Sequence, residues 1–386
     1  MSESTRMTDE EFARWANECG RNSGRSRLRK AMELQQMAAY REGKLRATHG
    51  LRNLFLELTD ACNEHCLHCG SRCGEAVTKD MLTLNDYRRI IDELACDFDT
   101  KCTRLCITGG EPLLRRDFFE IMEYARDRGF RWGMTSNGTL ITPQVAQRLY
   151  AAGMRTISVS VDGLRKSHEW FRQSPGSFDT ALAGIRALID AADGKHVQVT
   201  TCVNRRNLGE LDQLYDLFAS LGATSWRVIN VEPMGRALER AASEPDLLLT
   251  PDEFAQMIHY IERRRFEGPM EVCYGCSHYL GIDLERETRN WYYLCNAGTY
   301  TASIACNGDI LACLDIERRP ELVQGNVRTA RFKDVWDSRF EIFRSDFRKC
   351  GKCAECFDYQ FCAGDSFHTW DFDAMEPRMC LKGVLF

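Results

Sequence analysis

Short apolar stretches alternate with amphipathic ones along most of the chain. Residues 54–58 (LFLEL) form an apolar run typical of a buried strand, and Thr83 is placed to cap the amphipathic helix that follows. The same alternation predicts further strands and a closing helix that begins at Thr250. The six predicted strands span 54–58, 105–108, 132–136, 156–161, 197–203 and 226–230. Because helices separate successive strands, the pattern indicates a parallel sheet and an α/β fold.

The composition narrows the classes of function. The chain has 386 residues, of which 44% are hydrophobic and 28% are charged, as in ordinary globular proteins of about two domains. Its 51 basic and 56 acidic side chains give a net charge of −5, so we expect no nucleic-acid partner. No apolar run is long enough to cross a bilayer and the N-terminus has no secretory signal. We therefore expect no membrane partner and a cytoplasmic location.

The 19 cysteines are concentrated in two regions. Four lie within 62–73 and nine within 273–362, with Cys380 beyond, whereas only Cys202 lies between Cys106 and Cys273. Cysteines in a reducing compartment are more often metal ligands than a disulfide framework. The two clusters therefore predict two metal-binding regions on either side of a cysteine-poor body.

These patterns divide the chain into four segments. A polar, helical lead-in at 1–50 precedes a barrel-like domain at 51–235, a connecting helix at 236–270 and a cysteine-rich domain at 271–386. The lead-in is expected to be solvated because it carries a dense basic group. That group consists of Arg21, Arg25, Arg27, Arg29 and Lys30.

The first cysteine group follows the first predicted strand directly. Cys62, Cys66 and Cys69 have the spacing C-x3-C-x2-C. Three thiolates from one loop can bind three irons of a cubane cluster and leave the fourth iron open for chemistry. A zinc site would require a fourth ligand, which His65 or His68 could supply, so zinc remains an alternative at this point.

Polar motifs follow each of the next three strands. Gly109-Gly110-Glu111-Pro112 follows the second strand, Ser136-Asn137 ends the third, and Ser160 and Asp162 end the fourth. The carboxyl ends of parallel strands meet at one edge of a sheet, so these motifs are expected to converge. Glycine permits close backbone approach, Glu111 offers a carboxylate to a cationic amine, and Ser, Asn and Asp offer hydrogen bonds to a ribose or carboxylate.

With CNEHCLHC at 62–69 and GGEP at 109–112, residues 51–235 resemble the radical S-adenosylmethionine (SAM) enzymes. The resemblance implies a partial (β/α)6 TIM-type barrel. It also implies a [4Fe–4S] cluster that reductively cleaves SAM to a 5′-deoxyadenosyl radical, which abstracts a substrate hydrogen. Cys62, Cys66 and Cys69 would then be catalytic as well as metal ligands.

The resemblance also implies a SAM site at the strand ends. Gly109, Gly110, Glu111 and Pro112 would contact the methionine part of SAM, and Ser160 its carboxylate or ribose. His68 would lie near the adenine, and Arg172 is a candidate for the carboxylate, although an exposed arginine at a helix start fits its sequence context equally well. The remaining polar candidates of this site are Ser136, Asn137 and Asp162.

The second cysteine region resembles the SPASM extension of peptide-modifying radical SAM enzymes. This implies a small α+β iron–sulfur domain with one or two auxiliary [4Fe–4S] clusters, with a zinc ribbon as the alternative. The distal cluster would bind Cys353, Cys356, Cys362 and Cys380. The proximal one would bind Cys276, Cys295 and Cys313. Ser366 stands where the family usually has a cysteine, so its fourth site is open or is filled by Cys350, Asp365 or His368.

The resemblance predicts an oxidoreductase that modifies a peptide or protein side chain by crosslinking, thioether formation, epimerisation or oxidation. Asp315, two residues after Cys313, is a candidate general base or else an exposed turn carboxylate. Expected partners are the peptide or protein substrate and reduced flavodoxin or ferredoxin as electron donor. Alternatives are a small-molecule radical SAM dehydrogenase and a non-enzymatic iron–sulfur or zinc scaffold.

Overall fold

The computed structural model describes residues 26–75, 78–192, 196–275, 278–290 and 292–386, with the side chain of Lys44 excepted. Its main sheet has the strand order β10-β9-β8-β1-β2-β3-β4-β5-β6-β7. These strands are β1 Asn53–Glu57, β2 Arg104–Thr108, β3 Arg131–Ser136, β4 Met154–Ser160, β5 Val197–Val203, β6 Ser225–Asn230, β7 Glu271–Tyr274, β8 Thr301–Ile304, β9 Asp309–Leu311 and β10 Gly325–Asn326. A separate two-stranded sheet pairs β11 Trp370–Asp371 with β12 Glu376–Pro377.

Strands β1 to β7 are parallel and lie in chain order, as the alternation of strands and helices predicts. Two features differ from the sequence expectation of six strands. Strand β7 extends the parallel sheet beyond β6, and β8 pairs in parallel with β1. The sheet thus continues into the cysteine-rich part of the chain, where β9 and β10 add an antiparallel end.

Helices separate the parallel strands of the main sheet and continue into the cysteine-rich domain. In chain order they are α1 Arg27–Tyr40, α2 Leu84–Asp97, α3 Phe118–Asp127, α4 Pro143–Ala151, α5 Arg165–Arg172, α6 Ser177–Ala191, α7 Leu211–Leu221, α8 Gly235–Arg240, α9 Pro251–Arg264, α10 Gly281–Thr288, α11 Phe332–Ser338, α12 Glu341–Arg344 and α13 Tyr359–Cys362. None of the described helices is long and apolar enough to cross a membrane.

Local sequence explains several helix boundaries. Thr83 caps α2 in a reciprocal capping box with Asp86, and Thr250 does the same for α9 with Glu253. Gly129 follows α3 with φ of 89°, a conformation that costs glycine little. The outer faces of β3 and β6 bury Trp132 and Trp226 against these helices.

Helix α1 is not the fully solvated element that its basic composition suggests. Ala31 and Leu34 are buried against aromatic residues of the cysteine-rich domain, among them Tyr279 and Phe361. Lys30 is also buried, because its Nζ lies 2.8 Å from the carbonyl oxygen of Asp283 and 2.8 Å from a Glu287 carboxylate oxygen. Arg21 and Arg25 of the same basic group lie outside the described residues.

Candidate active site

The predicted polar motifs do meet at the carboxyl edge of β1 to β4. The loop that follows β2 is hydrogen-bonded to the cysteine loop that follows β1, since Gly110 N donates to Thr59 O at 2.7 Å and Glu111 N donates to Ala61 O at 2.9 Å. A Cβ on Gly109 would lie 2.2 Å from the Thr59 carbonyl oxygen, which explains the need for glycine there. Glycine at this position thus allows the loop after β2 to pack against the backbone of Thr59. The motif alone predicted close approach to a ligand and did not indicate this protein neighbour.

Glu111 is fully buried and its carboxylate accepts hydrogen bonds from the protein itself. Ser136 Oγ lies 3.0 and 3.1 Å from its two oxygens, and the backbone N–H groups of Asn137 and Leu113 donate to it at 2.9 and 3.3 Å. Asn137 also donates to Asn63 Oδ1 at 2.8 Å. Three of the predicted SAM-site residues therefore form one network that fixes the strand-end loops relative to the cysteine loop.

The three cysteine thiols lie in different environments, since burial raises the pKa of Cys62 and Cys66 whereas Cys69 is hydrogen-bonded as a thiolate. Burial raises the pKa of Cys62 to about 11, whereas a hydrogen bond from the Cys73 thiol lowers the pKa of Cys69 to about 6. The backbone N–H of Cys73 also donates to Cys69 Sγ at 3.4 Å, and Arg172 lies 3.7 Å from Cys66 Sγ. A hydrogen-bonded thiolate and a nearby guanidinium both favour an anionic metal centre, so these residues fit an iron–sulfur cluster.

Within the part of the chain that the structure describes, no three His, Cys, Asp or Glu side chains converge as ligands of a single metal ion would. The thiolates that hold a four-iron cluster each bind a different iron and do not need to converge in this way.

Arg172 is buried at the C-terminal end of α5 and is not an exposed arginine at a helix start. Its guanidinium donates to Asp162 Oδ2 at 2.6 Å and lies 3.2 Å from Glu64 Oε2. The other Asp162 oxygen accepts the Cys202 backbone N–H at 2.7 Å. Asp162 and Arg172 thus form an ion pair next to Cys66. Glu64, inside the cysteine motif, completes a buried ionic triad that sequence analysis missed.

The other candidates for the SAM site lie around this triad. The His68 ring stacks on Phe171 with centroids 4.1 Å apart, and burial lowers the pKa of this histidine well below its usual value. Ser160 is half-buried at the end of β4, and Pro112 is buried at the start of a short 3-10 turn. His68 thus lies within the loop that bears the three cysteines, and Ser160 lies at the end of β4.

A segment that sequence analysis did not identify holds the cysteine loop from the opposite side. Arg236 donates through Nη1 to Cys66 O at 3.0 Å and through Nη2 to Cys73 O, while its backbone N–H donates to Cys69 O at 3.1 Å. Gly235 has φ of 51°, and a Cβ there would lie 2.4 Å from Gly70 O. No local motif marks these residues, because their partners lie far away in the chain.

The predicted ligands of the distal auxiliary cluster surround one cavity of about 280 Å³. They are Cys353, Cys356, Cys362 and Cys380. Lys382 Nζ lies 3.5 Å from Cys356 Sγ, which places a cation beside this thiol group. A cavity lined by four cysteines, with Lys352 and Lys382 also in its lining, fits a cubane cluster. Cys350 packs with Cys353 and Cys356 on this side of the domain.

The proximal ligand set is only partly described. Cys295 and Cys313 are close enough to interact electrostatically, whereas Cys276 lies outside the described residues. Asp365, one candidate for the fourth ligand, has other partners: its carboxylate bonds to the His278 ring and accepts the Tyr279 N–H at 2.9 Å. Ser366 is fully buried and its Oγ lies 3.2 Å from Thr369 Oγ1.

Asp315 lies in the turn that follows β9 and Cys313. Its side chain is accessible to solvent. Desolvation by the surrounding protein raises its pKa, although the positive charges of His368, Arg227 and Arg318 act to lower it. Glu232 lies 4.0 Å from the His368 ring and 2.8 Å from the His278 ring. Asp315 is therefore an exposed turn carboxylate within electrostatic reach of Arg227 and His368, and its role as a general base stays a prediction.

Comparison with known proteins decides the family. The family model "Radical SAM superfamily" matches residues 56–218, and the SPASM model "Iron-sulfur cluster-binding domain" matches residues 295–357. The AdoMet-dependent heme synthase of Methanosarcina barkeri is 31% identical over 334 residues, 82% of this chain and 91% of that protein. The chain belongs to the radical SAM superfamily. The cofactors of this radical SAM enzyme are accordingly [4Fe–4S] clusters and SAM.

A second group of relatives has a different name. The mycofactocin maturase MftC of Mycobacterium tuberculosis is 30% identical over 338 residues, 86% of this chain and 83% of that protein. Among solved structures, Streptococcus suis SuiB bound to S-adenosylmethionine superposes with a TM-score of 0.66 at 17% identity, over 92% of this chain and 82% of that chain. This likeness confirms the predicted fold of a partial barrel followed by an iron–sulfur domain.

The fit of Gly235 against the cysteine loop can be tested directly. We expect Gly235→Ala to lower both the iron bound per chain and the rate of SAM cleavage, because its Cβ would collide with the Gly70 and Cys69 carbonyl oxygens. Gly209→Ala is the matched control, since nothing lies within 4 Å of a Cβ at that position. Iron analysis and 5′-deoxyadenosine assays check both variants. Equal iron content in the two variants would contradict the proposed contact.

The buried Glu111 should leave a signature in the pH dependence of stability. Burial raises its pKa to about 7, whereas an unfolded glutamate titrates near pH 4.3. Between these values the folded chain binds a proton that the unfolded chain releases, so this group lowers stability as pH rises. In Glu111→Gln this component is absent. We expect the Tm of the variant minus that of the parent to increase from about pH 5 to pH 7 and then to level off. Parallel Tm profiles would show that Glu111 titrates normally.

Proposed function

We propose that this radical SAM enzyme abstracts a hydrogen atom from a peptide or protein side chain. The observation that carries the proposal is the match to mycofactocin maturase MftC, which extends over 86% of this chain and includes both the barrel and the auxiliary-cluster domain. The product would be a crosslink, a thioether, an epimer or an oxidised side chain. The solved structure of SuiB with its precursor peptide SuiA shares this fold and is consistent with the proposal.

Each part of the site has a role in this proposal. Cys62, Cys66 and Cys69 would hold the cluster that, together with SAM, supplies a carbon-centred radical when both are bound. Glu111, held by Ser136 and Asn137, would fix the loops around SAM, and Gly109, Gly110, Pro112, His68 and Ser160 would line its site. The ion pair of Asp162 and Arg172 would hold the cysteine loop, with its cation behind Cys66.

The substrate end of the site would contain Asp315 as a proton acceptor. Hydrogen abstraction followed by loss of an electron also releases a proton, and a carboxylate with a raised pKa within electrostatic reach of Arg227 is suited to accept it. The second electron would leave through the auxiliary clusters, with Cys353, Cys356, Cys362 and Cys380 holding the distal one. Reduced flavodoxin or ferredoxin is the proposed donor for the SAM-cleaving cluster.

A second candidate substrate is a tetrapyrrole. Relatives named AdoMet-dependent heme synthase match 82% of this chain at 31% identity in Methanosarcina barkeri and 84% at 30% identity in Nitratidesulfovibrio vulgaris, against 86% for mycofactocin maturase MftC. A tetrapyrrole and a peptide would occupy the same space between the barrel and the cysteine-rich domain.

An extract-based assay separates the two substrates. Anaerobic enzyme with SAM and dithionite is mixed with a low-molecular-weight extract of the organism that encodes the chain, and the 5′-deoxyadenosine rate is measured. We expect stimulation by the extract that disappears after proteinase treatment. If the stimulation survives the proteinase and is recovered in the porphyrin fraction extracted with organic solvent, the substrate is a tetrapyrrole and not a peptide. Cys66→Ala is the control, because no extract should stimulate it.

A further inference from the structure

Arg227 points into the barrel and lacks the carboxylate partner that its neighbours have. Its strand, β6, buries Trp226 and Val228 against the outer helices, so the alternation of side chains directs Arg227 to the inner face. Other arginines around the site are paired: Arg172 with Asp162 and Glu64, and Arg318 with Glu57. Within the described ranges no carboxylate lies within salt-bridge distance of Arg227.

The position of the Arg227 side chain is determined by its neighbours. Nε donates to Thr200 Oγ1 at 3.1 Å, and that hydroxyl lies 2.5 Å from Ser158 Oγ. A Cβ on Gly275 would lie 2.1 Å from Arg227 Cγ, so glycine there leaves room for the arginine stem. With Nε occupied, the two terminal amino groups of the guanidinium remain to bind a ligand, and the side chain loses little entropy when it does so.

Arg227 also lies at the level of the proposed SAM site. Ser160, Thr200 and Arg227 are register partners on adjacent strands β4, β5 and β6, which puts the backbones of Ser160 and Arg227 about 10 Å apart along the sheet. Asp315, from the cysteine-rich domain, is close enough to Arg227 for the two charges to interact electrostatically. Arg227 therefore faces the space between SAM and the auxiliary-cluster domain.

We propose that Arg227 binds a carboxylate group of the substrate inside the barrel. The inference builds on the proposed function only in assuming that the substrate occupies this space. A half-buried, pre-positioned guanidinium offers two parallel N–H donors to a carboxylate, which is the geometry this ion prefers. The carboxylate could belong to a peptide terminus or to the propionate of a tetrapyrrole. The negative charge of Asp315, which lies within electrostatic reach of Arg227, would disfavour a second anion.

Chemical labelling of arginine tests the site without knowledge of the substrate. The reconstituted, SAM-bound enzyme is treated with p-hydroxyphenylglyoxal, and the labelling rate of each arginine is followed by mass spectrometry. We expect glutarate at roughly 50 mM to slow labelling of Arg227 at least about twofold relative to its neutral isostere glutaramide, at ionic strength matched with sodium chloride. Arg116 is exposed and serves as the unprotected control. In Asp315→Asn, protection should be stronger because a nearby negative charge is removed.

Two outcomes would overturn the proposal: no labelling of Arg227 under conditions that label Arg116, or equal effects of glutarate and glutaramide.

Larger probes then identify the source of the carboxylate. One is a tripeptide library without Asp or Glu, with free or amidated termini, and the other is iron coproporphyrin III or its tetramethyl ester. Protection by glutarate and by the porphyrin acid, but not by the free-acid peptides, would keep the carboxylate site and reject the peptide substrate.

Discussion

Replacing Cys62, Cys66 and Cys69 together by alanine is expected to remove about four irons per chain and to reduce 5′-deoxyadenosine formation to the level without enzyme. The three thiols have no substitute in their loop, since only Cys73 remains there and one buried thiol cannot replace three ligands. The auxiliary irons should remain, because the cysteines of the second region come from separate elements. Iron and sulfide analysis after anaerobic reconstitution, followed by the SAM cleavage assay, checks both parts.

The matched control replaces two exposed cysteines, Cys96 and Cys102, by alanine. Neither has a cluster spacing, so iron content and SAM cleavage should stay at the parent level. A triple variant that kept its full iron content and cleaved SAM would mean that another cysteine group holds the reactive cluster. Loss of all iron in the triple variant would instead indicate that assembly of the auxiliary clusters depends on the first one.

Sequence alone predicted those parts of the site that are local in the chain. The strand-end motifs converge because parallel strands β1 to β4 lie in chain order, and this order follows from the alternation of apolar and amphipathic segments. The family and the partial barrel were predicted from motifs of four to eight residues and are confirmed by the comparisons. Helix caps such as Thr83 were also predicted, because cap and partner lie three residues apart.

Contacts between distant segments could not be predicted in this way. Arg236 bonds to the cysteine loop across more than 160 residues, and β8 joins β1 although hundreds of residues separate them. Lys30 can be buried because its ammonium group contacts Glu287 and the Asp283 carbonyl oxygen. The local pattern of charges around Lys30 does not indicate these partners. The environment of Arg227 could not be predicted from sequence either, since its lack of a carboxylate within salt-bridge distance, among the described residues, is seen only once the neighbouring strands are placed around it.

The buried triad of Glu64, Arg172 and Asp162 should produce the largest loss of stability. Arg172→Met removes the cation but leaves two carboxylates enclosed, and breaking a buried ion pair in this way costs about 3–5 kcal/mol. Both carboxylates are almost wholly buried, so water cannot replace the guanidinium. The cysteine loop should loosen as well, because the Arg172 side chain also contacts Cys66 Sγ and Glu64 within that loop.

The control for this prediction is Arg165→Met in the same helix. Arg165 pairs with Asp179, but both side chains are more than half exposed, and pairs of this kind contribute about 0–1 kcal/mol. Denaturant unfolding of the two variants should therefore differ by several kcal/mol. A double variant, Arg172→Met with Asp162→Asn, should recover part of the loss, because it removes one of the stranded charges. If Arg172→Met were no less stable than Arg165→Met, the triad would not hold the cysteine loop, and Arg172 would be free to bind SAM directly.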